Sequence, residues 1–273
     1  INGMVRISAA RIAAICGSFP IFTKGGADIL NALKVDAFVF GSESSDINKL
    51  RKIVEIQENM EYSDKIKQYL DEGLSYPTSL AKALKDLGIV LENNPNDLLG
   101  IGYIRNLKGV EIKAIKRTND YHSLDLNKIS SATSIREALK NGTDVREYVP
   151  KESYDSLDDL HFLDDYFDLL KYKIISSKDL SIYQTVDEGI ENKIKKNILK
   201  AHNTEELINL VKSKRYTYNK IKRMLLHILC GFTKEEAKRC REIQYIRVLG
   251  FNDNGRKYLN SIKKECELPI ITK

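Results

Sequence analysis

The residues best suited to chemistry lie in five short segments. Ile129 to Leu139 reads ISSATSIREAL: a loop of small hydroxyl residues enters a helix that carries an arginine in its first turns. Unpaired backbone N–H groups at a helix start attract anions. Ser131, Thr133 and Ser134 can add hydroxyl donors, and Arg136 can pair with phosphate oxygens in a fork. The same residues equally make an ordinary N-cap. Lys116 and Arg117, in AIKR, place two cations at the carboxyl end of an expected strand, where open α/β sheets bind ligands. They also suit a solvated strand end. Asn96, just after Pro95, sits at a helix start, where its amide can bond a base or ribose or cap the helix. Gly41 closes the apolar run VDAFVF, which would let a ligand approach the backbone closely. Many strands simply end in glycine.

The fifth segment, KSKRYTYNKIKRMLLHILCGF, crowds Lys212, Lys214, Arg215, Lys220, Lys222 and Arg223 around Tyr216 and Tyr218. Ile221, Leu225, Ile228 and Leu229 recur at helical spacing, so a docked helix with a basic outer side is expected. Cations beside aromatic rings suit an RNA backbone and an unstacked base; a solvated basic face is the alternative. The histidines His122, His161, His202 and His227 are dispersed, which argues against a metal centre or a Ser/His/Asp triad. His161 and His227 read as structural.

These residues need elements to hold them. Helices are expected at 24–34, at 46–86 with a break near Gly73–Pro77, from Asn96 to Leu107, and from Thr133 to Lys140. Strands are expected over Val35–Phe40, as a run buried on both faces of a parallel sheet, and over Val110–Lys116. A polar loop joins Thr118 to Ser131. This helix–strand alternation is that of an α/β nucleotide-binding domain. From Ser153 to Lys264 the period is helical almost throughout. Leu157, Leu160, Phe162, Leu163, Tyr166, Phe167 and Leu170 there form one wide apolar face. Leu268 to Ile271 reads as a last strand. The boundary between the halves falls near residues 143–152, giving domains 1–146 and 147–273.

The 273 residues are 42% hydrophobic and 30% charged, with a net charge of +6. That balance is that of a globular chain leaning toward polyanionic partners. No apolar run is long enough to span a membrane, and no stable protein partner is evident. Cys16, Cys230, Cys240 and Cys266 form no CxxC pair, which fits reduced thiols in the cytoplasm and no zinc site. The chain opens on Ile, without a signal-peptide pattern, and reads as an interior portion of a longer polypeptide.

Taken in order, FTKGGADILNAL, VDAFVFGSESSDI, SYP, PNDLLGIGYI, IKR, SATSIREAL, YNKIKRMLLHIL and VLGFNDNGRKYL with LPIITK resemble successive blocks of the tRNA(Met) cytidine acetate ligases, from about Phe22 to Lys273. SATSIR also resembles the phosphate motif of the wider nucleotidyltransferase superfamily with its HxGH motif. The resemblance implies a Rossmann-like nucleotidyltransferase domain followed by a mostly α-helical, tRNA-binding domain. It implies activation of acetate by ATP, with Mg²⁺ accompanying the ATP, and acetylation of N4 of the wobble cytidine of elongator tRNA(Met). By motif, Gly41, Asn96 and Arg117 match ATP-contacting positions, and Lys116, Ser131, Thr133, Ser134 and Arg136 match triphosphate-binding elements. The HxGH element has no counterpart in Ile1–Phe22, so no catalytic residue is assigned. Two other functions fit parts of the pattern. A small-molecule adenylyltransferase would not need the long basic helical half. A non-catalytic RNA-binding relative would not need SATSIR.

Overall fold

In a computed structural model, the described residues are 5–7, 19–74, 76–92, 94–117, 130–157, 159–213, 216–239 and 242–272, with side chains described from residue 22. Their elements run β1 (Val5–Ile7), α1 (Phe19–Ala32), β2 (Ala37–Ser42), α2 (Ile47–Gln57), α3 (Met60–Asp71), α4 (Tyr76–Asp86), α5 (Pro95–Asn106) and β3 (Glu111–Lys116). Next come α6 (Ala132–Lys140), α7 (Lys151–Tyr154), a 3₁₀ turn at Leu163–Tyr166, α8 (Phe167–Ser176), α9 (Ile190–Ile198), α10 (Thr204–Val211) and α11 (Tyr218–Leu229). The chain ends in α12 (Lys234–Arg239), β4 (Ile246–Phe251), α13 (Asp253–Ile262) and β5 (Ile270–Ile271).

Two compact units result. The first comprises residues 1–115, 183–185 and 231–273; the second comprises 116–182 and 186–230. In the first, β2 pairs with β3, while β1, β4 and β5 form a separate sheet in that order. β1 runs antiparallel to β4, and β4 parallel to β5. Leu50, Ile53, Tyr62, Leu84 and Ile101 join α2, α3, α4 and α5 in one core. Ile29 of α1 and Leu33 just after it pack with Ile246 and Val248 of β4 and Leu259 and Ile262 of α13 in another.

Close packing of α1 on α5 depends on two glycines. A Cβ on Gly26 would stand 2.6 Å from the Tyr103 hydroxyl, and one on Gly102 would stand 2.8 Å from Thr23 Cβ and Cγ2. Thr23 is itself buried. Small residues at both positions let the two helices approach within side-chain contact, and this seats α5 beside the β2–β3 pair.

The second unit is a helical core. Leu170 and Ile174 of α8, Ile194 and Ile198 of α9, Leu207 and Ile208 of α10, and Ile221, Met224 and Leu225 of α11 are all buried. Their i, i+4 and i, i+3 spacing is what a one-sided helix requires.

Three expectations need revision. β2 is not covered on both faces: Phe38 and Phe40 turn toward Tyr103 and Ile112, whereas Val39 is 48% exposed. The run VDAFVF hides this alternation because both kinds of position are apolar. Among the described residues from Leu157 onward, no helical turn forms before Leu163. Asp165 accepts the Phe162 N–H at 2.6 Å, and Asp164 accepts that of Thr204 at 2.8 Å. Aspartates that bond nearby backbone favour turns and caps over helix interiors. Finally, Ile246–Phe251 is a strand within the half read as helical, its alternation blurred by Leu249, which is 61% exposed. The short strand at the end is present as β5. The loop from Thr118 lies mostly outside the described residues, as does His122.

Candidate functional site

The best-defined polar constellation is in the first unit, where the turn after β2 meets the start of α5. Pro95 opens that helix, since a residue lacking an N–H loses nothing there. Asn94 stands at the N-cap but makes no side-chain cap bond. The cap comes from a distant segment instead. Glu43 accepts the backbone N–H of Asn96 at 3.3 Å and that of Asp97 at 3.0 Å. Its Oε1 also accepts the Asn96 side-chain amide at 2.6 Å. A carboxylate on the open N–H groups of a helix start is favoured by charge and by hydrogen bonding alike.

Beneath it lies Asp97, 3% exposed, with Ser42 fully buried at its side. The Ser42 hydroxyl donates to Asp97 Oδ1. Ser44 N–H and the Asn94 amide each donate to Oδ2 at 3.2 Å. Burial pushes the Asp97 carboxyl up, but the bonds from Ser42, Asn94 and Ser44 together outweigh it and hold the group below the usual carboxylate range. Ser45 adopts φ +57°, and its N–H returns to Ser42 Oγ at 2.8 Å. The turn is thus tied down at both ends. Gly41, at the end of β2, is exposed beside it, and Asn96 is half-buried.

The remaining expected phosphate contacts belong to the other unit or its border. Lys116 ends β3 and is exposed; Arg117 follows, half-buried, with an enclosed Nε that meets no acceptor among the described residues. At the start of α6 the Ser131 hydroxyl accepts the Ser134 N–H at 3.0 Å, and the Ser134 hydroxyl donates to the Ser131 carbonyl at 2.9 Å. Both serines are buried. Their hydroxyls build the cap, leaving Thr133, half-buried, and Arg136, exposed, on the outer side.

Among the cations of the basic segment, Lys212, Lys220 and Lys222 are exposed. Lys214 and Arg215 lie outside the described residues. Arg223 is half-buried, and burial lowers its guanidinium pKa. The expected apolar stripe is present, extended by Met224 and by a buried His227. Tyr216 is 7% exposed, and Lys220 Nζ stands over its ring at 4.4 Å. Its hydroxyl donates to the Asp187 carbonyl at 2.7 Å. Tyr216 is therefore a buried strut rather than a stacking platform, while Tyr218 keeps 39% of its surface exposed.

Glu43, Ser42 and Asp97 do not stand out in the sequence. The signal is weak: an acidic residue directly after FVFGS, and an Asp in the first turn after Asn-Pro, about fifty residues away. Nothing local pairs the two.

Polar groups thus gather beyond the end of β2 in the first unit, and the basic segment lies in the second. The family model described as HIGH Nucleotidyl Transferase matches residues 13–273. The tRNA(Met) cytidine acetate ligase of Geobacillus sp. (strain WCH70) is 33% identical, over 92% of this chain and 69% of that one. That of Clostridium acetobutylicum is 36% identical, over 94% and 71%. The crystal structure of Thermotoga maritima TmcAL (apo, form I) superimposes with a TM-score of 0.82 at 28% identity, covering 92% of this chain and 67% of that one. The same protein bound with alpha-thio ATP (Form II) gives 0.81 at 27% identity, covering 93% and 67%. The chain belongs to the tRNA(Met) cytidine acetate ligase family within the HIGH nucleotidyl transferases. Among the described residues no helix is long and apolar enough to cross a membrane.

Proposed function

We propose that this chain is the ATP-using, tRNA-binding part of a tRNA(Met) cytidine acetate ligase. An acetate oxygen attacks the α-phosphorus of ATP, forming acetyl-adenylate and releasing pyrophosphate. The N4 amine of the wobble cytidine of elongator tRNA(Met) then attacks the acetyl carbonyl. AMP leaves, the amine gives up a proton, and N4-acetylcytidine remains. The observation that carries this reading is the likeness, over more than nine-tenths of the chain, to ligases of that name and to a solved relative bound with alpha-thio ATP.

The side chains support the same chemistry. Gly41 and Asn96 are assigned to ATP in the first unit. Lys116, Arg117, Ser131, Thr133, Ser134 and Arg136 are assigned to the triphosphate. Arg117 supports this best, because an enclosed guanidinium nitrogen without an acceptor among the described residues suits an incoming anion. Negative charge accumulates on the phosphates as acetate attacks, and fixed cations there lower the barrier. Ser131 and Ser134 act through the cap they build, setting the α6 backbone, rather than as free hydroxyl donors. Among the described residues no three His, Cys, Asp or Glu side chains gather as a metal cage. The phosphates and water can hold a magnesium ion that accompanies ATP. The exposed Lys212, Lys220 and Lys222 of the helical half, with Arg223 and with Lys214 and Arg215 of the same stretch, are assigned to tRNA phosphates.

Acetate-dependent exchange of labelled pyrophosphate into ATP by the full-length protein tests the first half-reaction. Exchange that appears only with acetate is expected. Exchange supported equally by nicotinate mononucleotide or phosphopantetheine, and not by acetate, would identify a small-molecule adenylyltransferase instead.

A further inference from the structure

Glu43 offers only acceptor oxygens to its three donors, and this fixes the chemistry around it. A carboxylate can only receive hydrogen bonds at neutral pH. The Asn96 amide, 2.6 Å from Glu43 Oε1, must therefore turn its NH₂ toward Glu43. Its carbonyl oxygen, Oδ1, is left as the group offered to anything that binds there. The two N–H groups of the helix start, those of Asn96 and Asp97, are occupied by the same carboxylate. The start of α5 is consequently closed to phosphate and presents an acceptor instead. Glu43 is in turn held by its neighbours in the turn: Ser42 and Ser44 are bonded to the buried Asp97.

We propose that Glu43 is a positioning residue that orients Asn96 as an acceptor for a hydrogen-bond donor on the nucleoside of ATP. This rests on the assignment of Asn96 to ATP made above. The donor is either the 6-amino group of adenine or a ribose hydroxyl. Glu43 touches no reacting atom; it acts through Asn96. Without it the amide is free to rotate, and half of its orientations present NH₂ to a donor.

The test is a double-mutant cycle on the full-length protein. ATP affinity is measured by calorimetry for the wild type, Glu43→Ala, Asn96→Ala and the double variant, with a melting curve for each. Each single variant is expected to weaken ATP by up to about tenfold, the scale of one neutral hydrogen bond. The double variant should be no weaker than Asn96→Ala alone. Inosine triphosphate, which lacks the 6-amino donor, and the deoxy forms of ATP separate the two donors. The nucleotide lacking the true donor binds the wild type less tightly than ATP does, and Glu43→Ala erases that difference. If Glu43→Ala weakens ATP as much in the Asn96→Ala background as in the wild type, Glu43 serves the fold and the positioning role is wrong. A wild type that binds ATP and all of these analogues alike would overturn it as well. An Asn96→Ala variant that binds ATP normally would overturn the site assignment itself, a result the first outcome does not produce.

Discussion

Replacing Asp97 by Asn should destabilise the first unit by about 2–4 kcal/mol, although the two side chains are nearly isosteric. The wild-type carboxylate accepts from three donors: the Ser42 hydroxyl on Oδ1, the Asn94 amide at 3.2 Å on Oδ2, and Ser44 N–H shared between Oδ2 at 3.2 Å and Oδ1 at 3.5 Å. In the variant the oxygen can keep Ser42, but the NH₂ then faces two donors. Asn94 can rotate its amide to offer an oxygen; the Ser44 backbone cannot. The Ser44 bond is reduced to its longer reach to Oδ1, and the others weaken to neutral strength. Each charge-assisted bond contributes about 1.5–3 kcal/mol, and relief of the buried charge offsets part of the loss. Urea unfolding followed by circular dichroism, with the transition of this unit assigned by hydrogen exchange, measures the difference. Its pH dependence has a definite sign. Asp97 titrates below the ordinary carboxylate range in the folded protein, so its contribution is complete above the unfolded-state pKa and fades as pH falls through the folded value. Asparagine does not titrate, so the gap between the proteins should close in acid. A gap below about 0.5 kcal/mol at neutral pH, on a scale where one net hydrogen bond is worth about 1, would refute the reasoning. So would one that widens as the pH is lowered.

Gly102→Ala should lower stability by about 1–3 kcal/mol, because the new methyl meets buried Thr23 and must part α1 from α5; an unchanged melting temperature would show that the helices yield freely. Arg117→Ala should weaken ATP binding by roughly 10–100-fold, the scale of a charge-assisted bond, with little change in tRNA affinity; calorimetry on the full-length protein decides it. Replacing the exposed Lys220 and Lys222 together by Ala should weaken tRNA binding and flatten the slope of log affinity against log salt by about 0.7–0.9 for each phosphate no longer neutralised. Acetate-dependent pyrophosphate exchange by that variant should persist, and unaltered tRNA affinity at every salt concentration would show a merely solvated face.

The first unit is legible where period and punctuation agree. Helical structure over 46–86 and its break near Gly73–Pro77 are readable, as is α5 from Pro95 and its apolar residues, whereas the division between Gln57 and Met60 is not. Two things are hidden. Strand β4 is masked by an exposed leucine and by lysine-rich surroundings, since alternation over six residues is easily lost. The pairing of Glu43 with the start of α5 is out of reach for a different reason. It spans more than fifty residues and is made by a residue type that usually faces water. The serine-rich turn lies between: its position at a helix start is readable, but whether its hydroxyls cap the helix or meet a ligand depends on angles no spacing records. The basic helix shows its one-sidedness in the sequence, yet only its packing tells the buried Tyr216 from the exposed Tyr218.

The most direct test of the account is nucleoside mass spectrometry of elongator tRNA(Met) after incubation with the full-length protein. With ATP and acetate both present, N4-acetylcytidine should appear at the wobble position, and it should vanish when either is left out. An acetyl group carried into the product from labelled acetate would complete the assignment. A tRNA that is bound but never acetylated, or acetylated without ATP, would contradict it.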